Sequence, residues 1–529
     1  MGATLEIATH RSGRWRRPGP PAIAAAGAVL GCLLLTAGAL ILCGGVFTYS
    51  FDDPYITLTL ARRILEGTYG INPGESASPS SSILYPLILA PFAAFNAELL
   101  APWLLNTAAA GVVGAVFAVL IREAAPGASD GRVTSLAVVL TLAAGVVALP
   151  LVGLEHGLHA ALTAAAFLGA RRLLQTGRAP PWLAPVLVAL PLVRFEGAAL
   201  ELMILAALVL RRQWTVAAAT TLATALALLA WGLVMHALGL PFLPSSVLVK
   251  LAAEHQLGRG LISEIATHLA PPPVYRFAPL LVVETFVVAF HPVFRILGVL
   301  KGPPSRIETP LAAIACGALA AHLLVAGRTP RYDVYANTLA WCAIVWLWLP
   351  HLAGVLRAWT TTLLAEAAVL VFAAGFVGWT LQGPDGSRAV FEQQAQIRRL
   401  AVEFYRGPIA VNDIGEVSYR NPYGVLDLWG LGSEEVRLAR AKGEPGWMGR
   451  VVAEHRVGMA AIYSPWFAGQ VPASWTRVGV MTNRHDAGLG GGVSVDVYAT
   501  SPQTVAAVRA ALVQLRSAAK DQTQVSIGG

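Results

Sequence analysis

The chain has 529 residues, of which 56% are apolar and only 13% are charged, and its mean hydropathy is +0.61. Ordinary globular domains carry about 25% charged residues. This composition therefore predicts a polytopic membrane protein and excludes a disordered chain, a collagen-like chain and a small disulfide-stabilised domain. The net charge of +8 is modest for this length and does not indicate nucleic-acid binding, because membrane proteins concentrate basic residues in cytoplasmic loops. The four cysteines all lie in apolar runs and are expected to be buried side chains rather than disulfide or metal ligands.

The N-terminal region predicts a membrane helix that is retained in the mature protein. Several arginines precede an uncharged run at 22–47. This run is far longer than the roughly 7–15 apolar residues of a secretory signal. Because arginines are retained in the cytoplasm, we expect residues 1–21 to lie on that side of the membrane.

Nine further apolar runs predict additional membrane helices. They lie near 101–121, 133–152, 155–171, 182–210, 214–239, 279–297, 310–326, 333–350 and 357–380. Placing every basic cluster in the cytoplasm requires 182–210 to cross twice, as two short helices broken around Arg194–Gly197. The run 83–95 is too short to span roughly 30 Å of hydrocarbon and is predicted to lie along the outer surface. The sequence thus predicts a membrane domain over 22–384 with eleven spans and the C-terminus outside.

Three polar regions are expected to face outward. Two are loops at 48–82 and 240–278, and the third is the tail at 385–529. Short β-type runs and one amphipathic helix are predicted in this tail, at Pro408–Val411, Val493–Tyr498 and 502–516. A segment of this size can bury its own core, so the tail is predicted to be a small soluble α/β domain.

The first outer loop opens with two adjacent carboxylates, Asp52 and Asp53, followed by an amphipathic helix candidate that carries Arg62. Charges at the mouth of a membrane helix are costly unless they are solvated or functional. Two interpretations follow from these residues. One is a solvated pair at a helix end, and the other is a general base beside basic residues that hold a phosphate.

Other polar residues lie at the predicted outer ends of helices. Glu155 begins one helix, where stabilisation of the helix N-terminus alone accounts for a carboxylate. Arg194 and Glu196 lie at the break between two helices and are expected to pair with each other or with a neighbour, because an unpaired charge there is costly.

Two more cations follow in chain order. Lys250 lies in the second outer loop, where a lone lysine at an interface most simply extends its amine to water. Arg331 lies where a helix enters from outside and is expected to pair with Asp333 or with a phosphate.

The familiar nucleotide and hydrolase motifs are missing from the sequence. It contains no Walker A motif, no Ser-His-Asp signature and no kinase motif set. The glycines at Gly488–Gly492 lack a strand–turn–helix context and predict a loop, and the histidines lack zinc-like spacing. An activated substrate must therefore arrive in another form, and a lipid-linked donor needs no nucleotide site.

With this pattern assembled, the chain resembles the GT-C superfamily of polyprenyl-phosphate-dependent glycosyltransferases. The resemblance is to the bacterial branch with terminal arabinofuranosyltransferases, lipid A aminoarabinose transferases and protein O-mannosyltransferases. The motifs that carry it are Asp52–Thr57, Asn72–Glu75, Leu84–Leu87, Gly153–Glu155, Arg194–Gly197, Pro244–Lys250, Arg331–Tyr332, Asp413–Gly415 and Val425–Leu431. The chain departs from the family pattern at Phe195, Ser245 and His156, where proline, asparagine and alanine are usual, and these departures concern substrate identity more than reaction class.

The resemblance implies a GT-C fold and roles for individual residues. Asp52 would be the catalytic base, with Asp53 beside it. Substrate and phosphate binding would fall to Arg62, Glu155, Lys250 and Arg331. Transfer in one step would invert the anomeric configuration of the sugar. GT-C enzymes include metal-dependent and metal-independent members, so the need for a divalent cation stays open.

The implied partners are a polyprenyl-phosphate sugar donor and a glycan, lipid or protein acceptor in the bacterial inner membrane, with no nucleic acid. A transporter or flippase for a lipid-linked glycan is the main alternative. It predicts inverted repeats and charges near the middle of the bilayer, whereas here the charges cluster on one side. A non-catalytic envelope protein is a third hypothesis and predicts that Asp52 can be replaced without consequence.

Overall fold

The protein is mostly helical, with a small β-sheet region near its C-terminus. The computed structural model describes residues 18–249, 278–300, 305–325, 329–352, 354–485 and 492–528. The N-terminal part of the chain, up to residue 382, contains fifteen α-helices among these described residues. They are α1 Pro20–Leu42, α2 Asp53–Leu65, α3 Leu84–Ala94, α4 Ala101–Ala124, α5 Asp130–Ala143, α6 Leu149–Val152, α7 His156–Thr176, α8 Leu183–Val193, α9 Gly197–Leu210, α10 Trp214–Ala237, α11 Ala278–Ile296, α12 Glu308–Val325, α13 Pro330–Trp348, α14 Trp359–Phe372 and α15 Ala374–Leu381.

Three of the described helices are long and apolar enough to cross a membrane, namely α1, α4 and α10. Two bent pairs raise this number to five if each pair is one span: α5 with Val146–Val152, bent by 68°, and α14 with α15, bent by 75°. Several other helices are apolar but shorter. By length and composition, the described residues therefore provide fewer spans than the eleven that the sequence predicted.

Two local features of the sequence prediction recur in the helices. The apolar run 182–210 forms the two short helices α8 and α9, which are separated at Arg194–Glu196. The run 83–95 forms the short helix α3, which carries Pro91 inside it. The break between α8 and α9 falls at the charged residues Arg194 and Glu196, whereas α3 continues through Pro91 and ends at Ala94.

The helical region has one large core in which small side chains allow close helix packing. On α1, the buried residues Ala24, Ala28 and Cys32 form one stripe and belong to the same cluster as Ala110 and Val113 of α4. Helices in an apolar solvent associate through such small residues, because close backbone approach gives the packing energy.

The C-terminal sheet region begins after residue 382. Its helices and strands are α16 Gly383–Glu392, α17 Gln394–Arg399, β1 Ile409–Val411, α18 Gly415–Ser418, β2 Val425–Asp427, α19 Glu434–Lys442, α20 Trp447–Glu454, β3 Met459–Ile462, β4 Thr476–Thr482, β5 Ser494–Ala499, α21 Val505–Ala518 and β6 Gln524–Ile527. The six strands lie in the order β2-β1-β3-β5-β4-β6. Strand β1 is parallel to β2 and β3, and the other pairs are antiparallel.

Apolar clusters cover both faces of this sheet. Met459 and Ala461 of β3 belong to one cluster, whereas Ala460 and Ile462 belong to the other, as the alternation of side chains along a strand requires. The first cluster also contains Ile56 of α2. The sheet region is therefore packed directly against α2, the helix that begins at the second of the two adjacent aspartates.

Candidate functional site

Four charged side chains meet where four helices of the described chain begin or end. Asp53 is the first residue of α2, Glu155 immediately precedes α7, Arg194 follows α8, and Arg331 lies in the first turn of α13. All four line one cavity of about 200 Å³, together with Trp429 of the sheet region. Residues that are far apart in the sequence are thus brought to one site between the apolar helices and the sheet.

Asp53 and Arg331 form an ion pair in this cavity. The Asp53 Oδ2 lies 2.5 Å from the Arg331 Nη1, and the aspartate side chain is 41% exposed while the arginine is 13% exposed. The Arg331 guanidinium also lies 4.7 Å from the centre of the Phe51 ring. Asp333 instead bonds to His322 at 2.9 Å. The predicted pairing of Arg331 with Asp333 is therefore wrong, and the binding of a phosphate by Arg331 stays a prediction.

A buried ion network forms the opposite part of the cavity wall. Arg194 reaches Glu155 at 2.5 Å and Glu196 at 2.7 Å. The predicted pairing of Arg194 with Glu196 is confirmed, and Glu155 is a second partner. The Glu155 carboxylate accepts no capping hydrogen bond from the backbone N–H groups of α7. Two carboxylates face one guanidinium, so the network carries a net negative charge when all three groups are ionised.

Asp52 points away from this cavity and contacts the sheet region. Its carboxylate accepts hydrogen bonds from the backbone N–H groups of Gly415 at 2.6 Å and Glu416 at 2.7 Å, in the first turn of α18. A Cβ at Gly415 would lie 1.9 Å from the Asp52 carbonyl oxygen, so only glycine permits this approach. Asp52 thus fastens the start of α2 to the sheet region and does not line the cavity of Asp53.

The Asp52 carboxylate lies in an acidic environment. Loss of hydration and, secondly, the Asp413 carboxylate raise the pKa of Asp52 well above its ordinary value, although the two N–H donors oppose this rise. Burial also raises the pKa of Asp413, which is held by Gln394 at 3.1 Å and Tyr463 at 3.0 Å. Proton uptake is therefore favoured at the contact between the two regions.

Arg62 lies on the face of α2 opposite to Asp53, as 3.6 residues per turn requires for this spacing. It pairs with the buried Glu98 at 2.8 Å, and Arg420 contacts the same carboxylate at 2.7 Å. Arg62 is not among the residues that line the cavity of Asp53. The structure therefore separates Arg62 from Arg331, although the sequence had grouped both as phosphate ligands.

The sequence prediction missed several residues of the cavity wall. His156 and Tyr332 line the cavity with their rings 5.3 Å apart, and they are the immediate sequence neighbours of two predicted site residues. Trp429 lies within the tail motif Val425–Leu431, for which the sequence predicts no role in the site. These residues could have been found in the sequence because each one lies next to a predicted site residue or within a predicted motif.

Ser246 and Val249 of the second polar loop also line the cavity. Among the described residues, the buried Ser246 hydroxyl has no hydrogen-bond partner. Lys250, the next residue after Val249, lies outside the described residues, as do residues 488–491 of the predicted glycine loop. Within the described part of the chain, no group of three or more His, Cys, Asp or Glu side chains is arranged to hold a metal ion.

Comparison with known proteins gives a family model and several similar solved structures. A model described as a domain of unknown function, DUF8728, matches residues 388–501, within the sheet region. Two of the structures are ArnT from Cupriavidus metallidurans bound to undecaprenyl phosphate, with a TM-score of 0.44, and the same protein in the apo state, with a TM-score of 0.45. Each is 13% identical and covers 89% of this chain and 98% of the other. No curated protein sequence matches this chain.

Proposed function

We propose that this protein is an integral membrane glycosyltransferase that moves a sugar from a polyprenyl-phosphate donor to an acceptor hydroxyl. The observation that carries the proposal is the ion pair of Asp53 and Arg331, 2.5 Å apart, in a cavity between apolar helices and a polar sheet region. A carboxylate and a guanidinium are the groups that this transfer needs, one to accept a proton and one to stabilise a phosphate. The apolar helices leave the lipid chain of such a donor in the bilayer.

We infer that Asp53 is the general base, although the sequence favoured its neighbour Asp52. Asp53 lines the cavity, whereas both carboxylate oxygens of Asp52 accept backbone hydrogen bonds from Gly415 and Glu416. A general base must lie within hydrogen-bonding reach of the proton that it removes. Asp52 then acts as a positioning residue that holds the start of α2.

In the proposed reaction, Asp53 takes the proton of the acceptor hydroxyl while the hydroxyl oxygen attacks the anomeric carbon of the sugar. The bond from that carbon to the phosphate oxygen breaks, and its electron pair leaves with the lipid phosphate. Attack opposite to the leaving group inverts the configuration. Arg331 exchanges its partner in this scheme, from the Asp53 carboxylate to the donor phosphate, which releases Asp53 for proton transfer.

The remaining site residues receive proposed roles from the same arrangement. Arg194 is already neutralised by Glu155 and Glu196, so its role is to hold Glu155 in the cavity wall, where that carboxylate accepts hydrogen bonds from sugar hydroxyls. Lys250 remains a proposed second cation for the phosphate. The outward orientation of the site, its location in a bacterial inner membrane and the identity of the acceptor belong to the same proposal.

The test is transfer or hydrolysis of labelled sugar from a panel of polyprenyl-phosphate donors by the purified full chain, with Asp53→Asn as the matched variant. Asparagine keeps the shape of the side chain and removes the base, so we expect a loss of at least about a hundredfold. If the wild-type protein consumes no donor but moves the lipid between leaflets, the transporter hypothesis replaces the enzyme.

A further inference from the structure

A second and larger cavity lies beside the one that contains Asp53. Its volume is about 710 Å³, within the roughly 300–1,000 Å³ that is typical of ligand sites. Its walls come from α19, α20 and the loop 469–472 of the sheet region, and from Leu248 and Val249 of the second polar loop. The proposed reaction assigns nothing to this cavity.

The two cavities adjoin. Trp429 and Val249 line both of them. A molecule that occupies the second cavity therefore lies against the same indole that borders the cavity of Asp53. This is the placement that the proposed chemistry requires of an acceptor, which must bring one hydroxyl to the base while the rest of the molecule is held elsewhere.

The loop that carries Trp429 has a fixed conformation. The buried Asp427 carboxylate accepts hydrogen bonds from the N–H groups of Trp429 at 2.7 Å and Gly432 at 2.6 Å. Gly430 has a φ of +91°, and a Cβ there would lie within 2.8 Å of the Arg437 backbone. The indole is thus preorganised at the junction of the cavities, which lowers the entropic cost of binding a ligand.

The polar groups of the second cavity are suited to a polyhydroxylated ligand. Arg440 donates to the Trp429 carbonyl oxygen, lies 4.0 Å from the centre of the Trp429 ring, and forms no ion pair among the described residues. Gln470 accepts a hydrogen bond from the Trp447 indole at 3.1 Å. The guanidinium has five N–H donors, so Arg440 retains donors for hydroxyl oxygens, and the partly exposed Trp429 indole offers apolar surface to the C–H groups of a sugar ring.

We propose that the second cavity binds the saccharide part of the acceptor, with Arg440 and Gln470 as its hydrogen-bonding residues and Trp429 at the end nearest the reaction. This inference rests on the proposed function and narrows it, because it commits to a glycan acceptor.

The experiment is saturation-transfer NMR on the full chain in lipid nanodiscs, with linear neutral and uronic-acid-containing oligosaccharides as probes. We expect a subset of the probes to bind and to bind at least tenfold more weakly to Arg440→Ala and Gln470→Ala. Arg477→Ala, an exposed arginine of β4 away from both cavities, is the matched control and is expected to bind normally. Arg440→Lys, which keeps the charge, supplies a second variant in case the alanine variant does not fold.

Binding of undecaprenyl phosphate to the same samples separates this inference from the proposed function. We expect Arg440→Ala to retain lipid-phosphate binding while losing the oligosaccharide. If the wild-type protein binds the oligosaccharides but does not bind undecaprenyl phosphate, the proposed function is overturned and the saccharide site remains. Three results would overturn the inference. No oligosaccharide binds, or the oligosaccharides bind to Arg440→Ala, Arg440→Lys and Gln470→Ala as tightly as to the wild-type protein. The third is that a peptide probe binds and the oligosaccharides do not.

Discussion

The cavity of Asp53 and the contact of Asp52 lie on two sides of the same chain segment and serve different purposes. Asp53 pairs with Arg331 of the helical region, whereas Asp52 accepts two N–H groups of the sheet region. Consecutive residues at a helix start point in directions about 100° apart, so two neighbouring carboxylates do not automatically form one catalytic pair. Two residues that are adjacent in the sequence, such as Asp52 and Asp53, can therefore belong to different sites.

The largest effect on stability is expected on the cavity side, from Arg194→Met. The substitution leaves the buried Glu155 carboxylate and the half-buried Glu196 carboxylate without their cation, which costs about 3–5 kcal/mol. Thermal unfolding of the detergent-solubilised protein measures this loss. Arg477→Met, which removes an exposed pair, is the control and should change the stability by less than about 1 kcal/mol. Equal unfolding temperatures for the two variants would argue against a tightly coupled network.

A smaller loss of stability is expected from Asp52→Asn, at the contact with the sheet region. An amide offers one acceptor oxygen in place of two, so one N–H at the start of α18 loses its partner, at a cost of about 1–3 kcal/mol. Hydrogen exchange should become faster in the peptide that contains Gly415 and Glu416. Asp130→Asn, at an exposed aspartate, is the matched control. Unchanged exchange in Asp52→Asn would mean that this carboxylate does not hold the two regions together.

Stability is also expected to depend on pH through the side chain of Glu416, whose backbone N–H donates to Asp52. Burial raises the pKa of Glu416 from 4.5 to about 7. The folded protein then binds this proton more tightly than the unfolded chain, so the contribution of Glu416 to stability is complete below pH 4.5 and is lost as pH rises towards 7, by at most about 1.4 kcal/mol per pH unit. Glu416→Gln should flatten this part of the curve of unfolding temperature against pH, and Glu403→Gln, at a more exposed glutamate, should not. An unchanged slope in Glu416→Gln would assign the dependence to other groups.

The smallest effect is expected from Arg62→Ala. Glu98 keeps Arg420 and the Tyr419 hydroxyl as partners, so the loss should be below about 1 kcal/mol and donor turnover should stay within about twofold of wild type. Arg331→Ala is the comparison, and its turnover should fall by at least about tenfold, because the proposed phosphate cation is removed. A similar loss of donor turnover in Arg62→Ala and Arg331→Ala would show that Arg62 also contributes to the reaction.

Local features of the fold were predictable from the sequence. The break between α8 and α9 follows from charged residues within an apolar run, and the pairing of Arg194 with Glu196 follows from their spacing at that break. The strands β1 and β5 and the helix α21 lie on the predicted runs in the tail. In each case the signal is contained in a few consecutive residues.

The long-range contacts were not predictable. No local pattern encodes that Asp53 meets Arg331 or that Asp52 meets Gly415, because both contacts depend on how distant helices and the sheet pack. The family resemblance implies a phosphate-binding role for Arg62, but helical geometry directs this side chain to the face of α2 opposite to Asp53, where it pairs with Glu98.

The most direct test of this account is the rate of sugar transfer or hydrolysis in Asp52→Asn and Asp53→Asn, each normalised to its folded fraction. With Asp53 as the base and Asp52 as a positioning residue, Asp53→Asn should lose at least about a hundredfold and Asp52→Asn less than about tenfold. The reverse order, with the larger loss in Asp52→Asn, would contradict the account and make Asp52 the base.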